Sequence, residues 1–230
     1  METNRTVPNS TYRMQLHGGF TFDDAAAWMP YLHALGVTHL FCSPILQASP
    51  GSTHGYDVVD HSRISEECGG EEAFGRLSQA AHEQGIGVVV DVVPNHMAVP
   101  TPIWHNHALW DVLRRGPESA YADWFDLDMT DSQAILMPVL GNRIGRELEH
   151  ISFTTDVING EEQPVVAYYD QVFPIRPGTE DLPLDELLER QWYRLAYWRI
   201  GSEELNYRRF FDVDTLAAIR VEDPAIFEAT

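Results

Sequence analysis

The sequence predicts an α/β protein built on parallel strands, and three observations carry that prediction. The run Ile86-Gly87-Val88-Val89-Val90-Asp91-Val92-Val93 is apolar and β-branched, the composition of a strand buried on both faces of a parallel sheet. Two earlier strand-like runs alternate with two helix-like segments, so residues 12–93 read β-α-β-α-β. The Ile86 run then ends on Asp91, Pro94, Asn95 and His96. Proline stops the ladder there, and ligands bind where parallel strands give way to loops.

Each element has its own reason. Tyr12, Met14 and Leu16 alternate with Arg13 and Gln15, the period of a strand. Thr21-Phe22-Asp23-Asp24 has the form of a capping box, and the helix it opens runs to Leu35 and stops at Gly36. Thr38 to Cys42 is the second strand. Ser43 to Gly70, rich in Gly, Pro, Ser and His, reads as one long loop, and loops of that length in compact domains usually carry function. Glu71 to Gln84 places Ala73, Phe74, Leu77, Ala80 and Ala81 on one helical face, with Gly85 ending the helix. Crossovers of this kind are right-handed. Such a start fits a (β/α)8 barrel or a doubly wound sheet. No GxGxxG follows the first strand, which argues against a dinucleotide fold.

The pattern breaks after His96. Ile151 to Thr155 and Val165 to Tyr169 read as a hairpin around Asn159-Gly160. Pro183 to Ile200 reads as a helix, with Leu184, Leu187, Leu188, Trp192 and Leu195 at helical spacing. Pro224 to Thr230 opens a further helix.

Composition narrows the function. The chain has 230 residues and a formal net charge of -20, which repels nucleic acid and anionic membranes and suits a neutral polar substrate. Its 15 basic residues are all arginine, so lysine Schiff-base and P-loop chemistry are excluded. Cys42 and Cys68 have neither zinc-site spacing nor a CxxC partner and read as reduced thiols. Met1 to Ser10 has no apolar signal core, and no apolar run approaches the ~20 residues of a membrane span. A cytoplasmic location is expected.

Chemistry concentrates in two strings. His54-Gly55-Tyr56-Asp57-Val58-Val59-Asp60-His61 packs two imidazoles, two carboxylates and a phenol into eight residues. A tyrosine ring offers a flat apolar face to the C–H face of a pyranose, and the polar groups can bond its hydroxyls. The second string is Asp91-Val92-Val93-Pro94-Asn95-His96. A charged Asp91 is costly to bury without a partner.

Together these strings resemble the first two signatures of the alpha-amylase superfamily. Ser10-Thr11-Tyr12-Arg13-Met14-Gln15-Leu16, Ser43-Pro44-Ile45-Leu46 and Pro50-Gly51-Ser52-Thr53-His54-Gly55-Tyr56-Asp57 are similar, more narrowly, to the maltooligosyltrehalose synthase family. So are Glu189-Arg190-Gln191-Trp192-Tyr193-Arg194-Leu195 and Asn206-Tyr207-Arg208-Arg209-Phe210-Phe211. The resemblance implies the N-terminal part of a (β/α)8 TIM barrel with a subdomain inserted after the third strand. Residues 1–96 would be the first three β/α units, 97–205 the insertion, and 206–230 the return to the barrel. The implied reaction is intramolecular transglucosylation, in which the reducing-end α-1,4 bond of a maltooligosaccharide becomes an α,α-1,1 bond. That chemistry resembles a retaining glycosidase, with the anomeric hydroxyl of the released glucose attacking in place of water.

Residue roles come from the same resemblance. Tyr56 stacks on the sugar next to the broken bond, His96 bonds its hydroxyls, and His54 and Asp57 join the substrate-contacting group. Asp91 anchors an arginine from a later strand, Asn95 orients its loop, and Asp60 supports the site. Asp57 and Asp60 also suit Asx-type loop ties. In calcium-binding relatives the Asn95 position ligates the metal. One side chain falls far short of calcium's ~6–8 oxygens, so neither a required metal nor a cofactor is expected. His33, His39, His61 and His82 read as surface or packing residues. Trp104, His105, His107 and Trp110 read as solvated or sugar-lining, and Trp192, Tyr193, Tyr197 and Trp198 as helix packing.

The family's nucleophile belongs to a Gly-x-Arg-x-Asp signature, its acid is a later glutamate, and neither signature occurs here. Ala218-Ile219-Arg220-Val221-Glu222 is a near miss with Ala for Gly and Glu for Asp. A barrel takes about 250 residues, so three strands leave open edges, and the remainder of the barrel is the expected partner. The catalytic carboxylates are expected beyond Thr230, and the isolated chain is expected to be inactive. Two other readings share these features: another superfamily hydrolase or transglucosidase, and a non-catalytic glucan-binding module.

Overall fold

The computed structural model describes residues 7–128 and 134–230. Met1–Thr6, part of the segment read for a signal core, lie outside the described residues. The chain divides into two compact units, residues 1–93 and 94–230.

The first unit runs β1 (Thr11–Met14), α1 (Phe22–Ala27), α2 (Met29–Leu35), β2 (His39–Cys42), β3 (Leu46–Ala48), β4 (Val58–Ile64), α3 (Gly70–Glu83) and β5 (Gly87–Val90). β1, β2 and β5 form a parallel sheet in that order, with Met14 beside Cys42 and Cys42 beside Val90. The strands therefore finish level, and the segments leaving their C-terminal ends emerge on one side. Buried Met14, Leu16, Leu40 and Cys42 meet Phe22, Met29 and Leu32 of the first two helices and Ala73, Leu77 and Ala81 of α3. Phe22 packs edge-on against Phe74 at 5.4 Å.

Three features of this unit bear on the expectations. The capping box forms, with the Thr21 N–H donating to Asp24 Oδ2 at 2.8 Å. The helix it opens breaks at Trp28, however. Pro30 has no N–H to give to the preceding turn, so a new helix starts with proline in its first turn, where no donor is needed. Second, the Ser43–Gly70 loop contains the antiparallel pair β3–β4. Val58 and Val59 are buried and anchor β4 beneath a composition that otherwise looks like loop. Third, β5 is not buried on both faces. It lies at an edge of the sheet, Val88 and Val90 face the core, and Val89 is 37% exposed.

The second unit holds β6 (His96–Ala98), α4 (His107–Arg115), β7 (Ile135–Leu140), α5 (Ile144–Glu147), β8 (Ile151–Ile158), β9 (Glu161–Tyr168), β10 (Gln171–Pro174), α6 (Leu184–Glu189), β11 (Tyr193–Tyr197), β12 (Arg209–Phe210), β13 (Val213–Ala218) and α7 (Pro224–Ala229). The expected hairpin is β8–β9, turning at Asn159 (φ 53) and Gly160 (φ 86), the pair of positive angles that a two-residue hairpin turn favours. β10 adds a third strand to it. β13 pairs antiparallel with both β12 and β6. Asp223 caps α7 by accepting from the Ala225 N–H at 2.9 Å.

The helix expected over Pro183 to Ile200 is corrected. Only α6 is helical, and Tyr193–Tyr197 is a strand parallel to β7. Tyr193 and Leu195 are buried while Arg194 is exposed, so the local period is two. Buried Gln191 fixes the switch. Its Nε2 donates to the Leu187 carbonyl at 2.7 Å, and its Oε1 accepts from the Arg176 N–H at 2.7 Å. Tyr193 accordingly packs in a strand, stacked on Phe173 at 5.1 Å. Among the described residues no helix is long and apolar enough to cross a membrane.

Candidate functional site

In the first unit, Asp91 is the first residue past the parallel strands, and its N–H donates to the Cys42 carbonyl at 3.0 Å. The Tyr56 hydroxyl donates to Asp91 Oδ2 at 2.6 Å. The two chemistry-bearing strings therefore meet at the C-terminal end of the sheet. Tyr56 is 37% exposed, with its hydroxyl held by that bond.

The loop carrying Tyr56 is built from local bonds. Gly55 adopts φ 77, and a Cβ there would stand 2.8 Å from the Pro44 carbonyl oxygen. Only glycine fits both the angle and the approach. The Gly55 N–H donates to Ser52 Oγ at 3.1 Å, and the Tyr56 N–H donates to His54 Nδ1 at 3.1 Å. The His54 and Tyr56 rings stack with centroids 6.1 Å apart. Asp57 accepts from the Ser52 hydroxyl and lies 3.6 Å from His54 Nδ1, so its carboxylate ties the loop.

Asp60 accepts from the Ser62 amide at 2.9 Å and from Arg63 at 2.8 Å, an Asx-type tie with an added ion pair. Burial pushes the Asp60 carboxyl up, but the Ser62 and Arg63 bonds outweigh it and leave the group below the usual carboxylate range. His61 Nε2 lies 2.9 Å from the Val93 carbonyl and ties the chain beyond β5. Of the other histidines in this unit, His39 is buried in the strand and His33 lies against the Gln84 carbonyl at 2.9 Å.

Two residues here belong to the Ser10–Leu16 string but were given no role of their own. Arg13 Nη2 donates to the Tyr56 hydroxyl at 3.4 Å, and Arg13 Nη1 to Gln15 Oε1 at 2.8 Å. Gln15 Nε2 donates in turn to the Thr53 carbonyl at 3.1 Å. The available signal was their spacing, two polar residues on one face of a strand whose other face is apolar.

In the second unit, His96 opens β6 opposite Ala218 and is 3% exposed. Its ring lies on Phe210 with centroids 4.4 Å apart. Sequence reasoning gave Phe210 no role of its own, although it belongs to the Asn206–Phe211 string. Asn95 is exposed, and its carbonyl accepts from the Ile219 N–H at 3.0 Å. Ala218 to Glu222, the near miss, leaves β13 toward α7, with Ile219 bridging to Phe125. Trp110 is buried in the core, and Trp104 lies on His105 at 3.9 Å. Burial pushes the His105 imidazole down. Among the described residues no three His, Cys, Asp or Glu side chains group closely enough to hold a metal ion.

A parallel sheet with crossover helices, carrying a phenol and a carboxylate bonded together at its C-terminal end, defines a class that the comparisons identify. The family described as "Alpha amylase, catalytic domain" matches residues 24–169, and the chain belongs to that family. Within it, the chain is 43% identical to a protein of Mycobacterium tuberculosis named as a maltooligosyl trehalose synthase, over 96% of this chain and 28% of the relative. The structure of maltooligosyltrehalose synthase from Arthrobacter ramosus superposes with a TM-score of 0.90 at 49% identity, covering 97% of this chain and 28% of that one. A hypothetical maltooligosyl trehalose synthase from Sulfolobus tokodaii superposes with a TM-score of 0.84 at 39% identity, covering 97% and 29%. The chain thus spans less than a third of the length of these relatives.

Proposed function

We propose that this chain is the N-terminal portion of a maltooligosyltrehalose synthase and supplies part of the glucan-binding surface of that enzyme. The observation that carries the reading is the Tyr56–Asp91 bond at the C-terminal end of the parallel strands, which holds a partly exposed aromatic ring beside fixed polar groups. The similarity to synthases along nearly the whole chain supports the particular reaction. On this reading residues 1–96 are the first three β/α units of a barrel, 97–205 an inserted subdomain, and 206–230 the return. The nucleophile and the acid come from the remainder of the barrel.

The reaction is a double displacement. The glycosidic oxygen at the reducing end takes a proton and leaves with the terminal glucose while a carboxylate bonds to the anomeric carbon. The 1-hydroxyl of that glucose then displaces the carboxylate and loses its proton. The product is a non-reducing chain of unchanged length. Tyr56 stacks on a glucose ring, and His96, His54 and Asp57 bond hydroxyls. Asp91 fixes the Tyr56 phenol, while Asn95 and Asp60 hold their loops. Tyr56 and Asp91 are in bonding contact before any substrate arrives, so their orientation costs nothing at the moment of reaction.

The test uses the complete polypeptide with maltopentaose. Loss of reducing ends without chain shortening is expected. Shorter reducing sugars would instead favour an amylase-type hydrolase attacking with water, and binding without turnover would favour a non-catalytic module. This chain alone should not turn the substrate over.

A further inference from the structure

The first strand does more than complete the sheet. Arg13 and Gln15 lie two residues apart on β1 and its continuation, and so project to one face while Met14 and Leu16 enter the core on the other. Their side chains are joined by the 2.8 Å bond from Arg13 Nη1 to Gln15 Oε1. From that joint the pair reaches the Tyr56 loop twice: Gln15 Nε2 holds the Thr53 carbonyl at 3.1 Å, and Arg13 Nη2 approaches the Tyr56 hydroxyl at 3.4 Å. The Arg13 guanidinium also stands 5.8 Å from the centre of the Phe41 ring on β2, which limits where it can swing. The Tyr56 phenol directs its own proton to Asp91 at 2.6 Å. One end of the loop is gripped by its backbone and the other by its functional side chain, from a rigid element.

We propose that Arg13 and Gln15 are positioning residues that clamp the Tyr56 loop, and that Arg13 sets the presented face of the Tyr56 ring through its hydroxyl. This rests on the sugar-binding reading of Tyr56 given above. The guanidinium uses two of its nitrogens in fixed fork geometry, one for Gln15 and one for the phenol. Lysine carries a single nitrogen and cannot reproduce both directions at once.

A double-mutant cycle in the complete enzyme tests the clamp. Arg13→Ala should lower kcat/KM for maltopentaose about tenfold, with Tm little changed, because a contact residue loses its orientation. The same substitution should have almost no further effect in a Tyr56→Phe background, where the hydroxyl it acts through is gone. Arg13→Lys should recover part of the loss, and it serves the same cycle if the alanine variant fails to fold. Equal fold-losses in both backgrounds, or no loss in either, would overturn the proposal. A second readout needs no substrate: hydrogen–deuterium exchange of the Gly55 and Tyr56 amides, followed by peptide mass spectrometry, should be faster in Arg13→Ala than in the parent. Unchanged exchange would also overturn the clamp. A parent enzyme that processes no glucan, yet shows faster exchange of this loop in the variant, would overturn the activity and leave the clamp standing.

Discussion

Tyr56 and Asp91 stand 35 positions apart in the chain and share a 2.6 Å hydrogen bond. Each was legible as a candidate because its residue type sat in a recognisable string. Arg13 also sat in such a string, Ser10–Leu16, but received no role, because an arginine alternating with apolar residues on a strand looks like a solvated face. His96 illustrates the same limit, since its stacking on Phe210 needs two strands brought together by β13. If His96 has the sugar-contacting role proposed above, His96→Ala in the complete enzyme should lower kcat/KM by about 10- to 100-fold. Steady-state kinetics that match the parent would remove His96 from the site. Asp60 makes a pH prediction. Its folded value lies below the ordinary 3.8, so its ties contribute stability above that value and lose it as pH falls through the depressed one. Thermal unfolding should show Asp60→Asn destabilising at neutral pH and converging on the parent in acid. A constant Tm offset across that range would assign the effect to something other than the charge. Burial pushes the Cys42 thiol up to about 11, so iodoacetamide at neutral pH should leave it unmodified until urea exposes it.

At the scale of elements, local chemistry and long-range packing divided the work. The capping box of α1, the face of α3 and the Asn159-Gly160 turn all formed as their spacing predicts, because each depends on residues a few positions apart. The strand β11 did not follow its spacing. Leucines at helical intervals cannot by themselves show that Tyr193 and Leu195 will find a parallel partner in β7, some 58 residues earlier in register. Two glycines separate angle from approach. Gly36 closes α2 at φ 82 with open space where a Cβ would go, whereas Gly55 combines φ 77 with the Pro44 carbonyl at 2.8 Å. Gly36→Ala should therefore cost about 1 kcal/mol, and Gly55→Ala distinctly more, at least about 2 kcal/mol, in urea unfolding. Equal costs would mean that the loop shifts freely away from Pro44, and the preorganised Tyr56 would lose its support.

At the scale of the whole chain, the charge of -20 disfavours anionic partners. On the proposed glucan-binding reading the ligand is neutral and needs no ion pairing, so KM for maltopentaose in the complete enzyme should change little as salt rises from about 0.05 to about 0.5 M. A steep salt dependence would point to an ionic substrate. By itself the sequence determined the parallel α/β start, the capping box of α1, the Asn159-Gly160 turn and the two strings that carry the chemistry. All of these are set by residue type and by neighbours within a few turns of chain. The tertiary structure alone decided that Tyr56 bonds Asp91, that Arg13 and Gln15 reach the same loop, that a hairpin lies within the Ser43–Gly70 segment, and that residues 193–197 pair as a strand. Those outcomes depend on which distant backbone satisfies each buried donor and acceptor, and that choice is made only when the chain closes on itself.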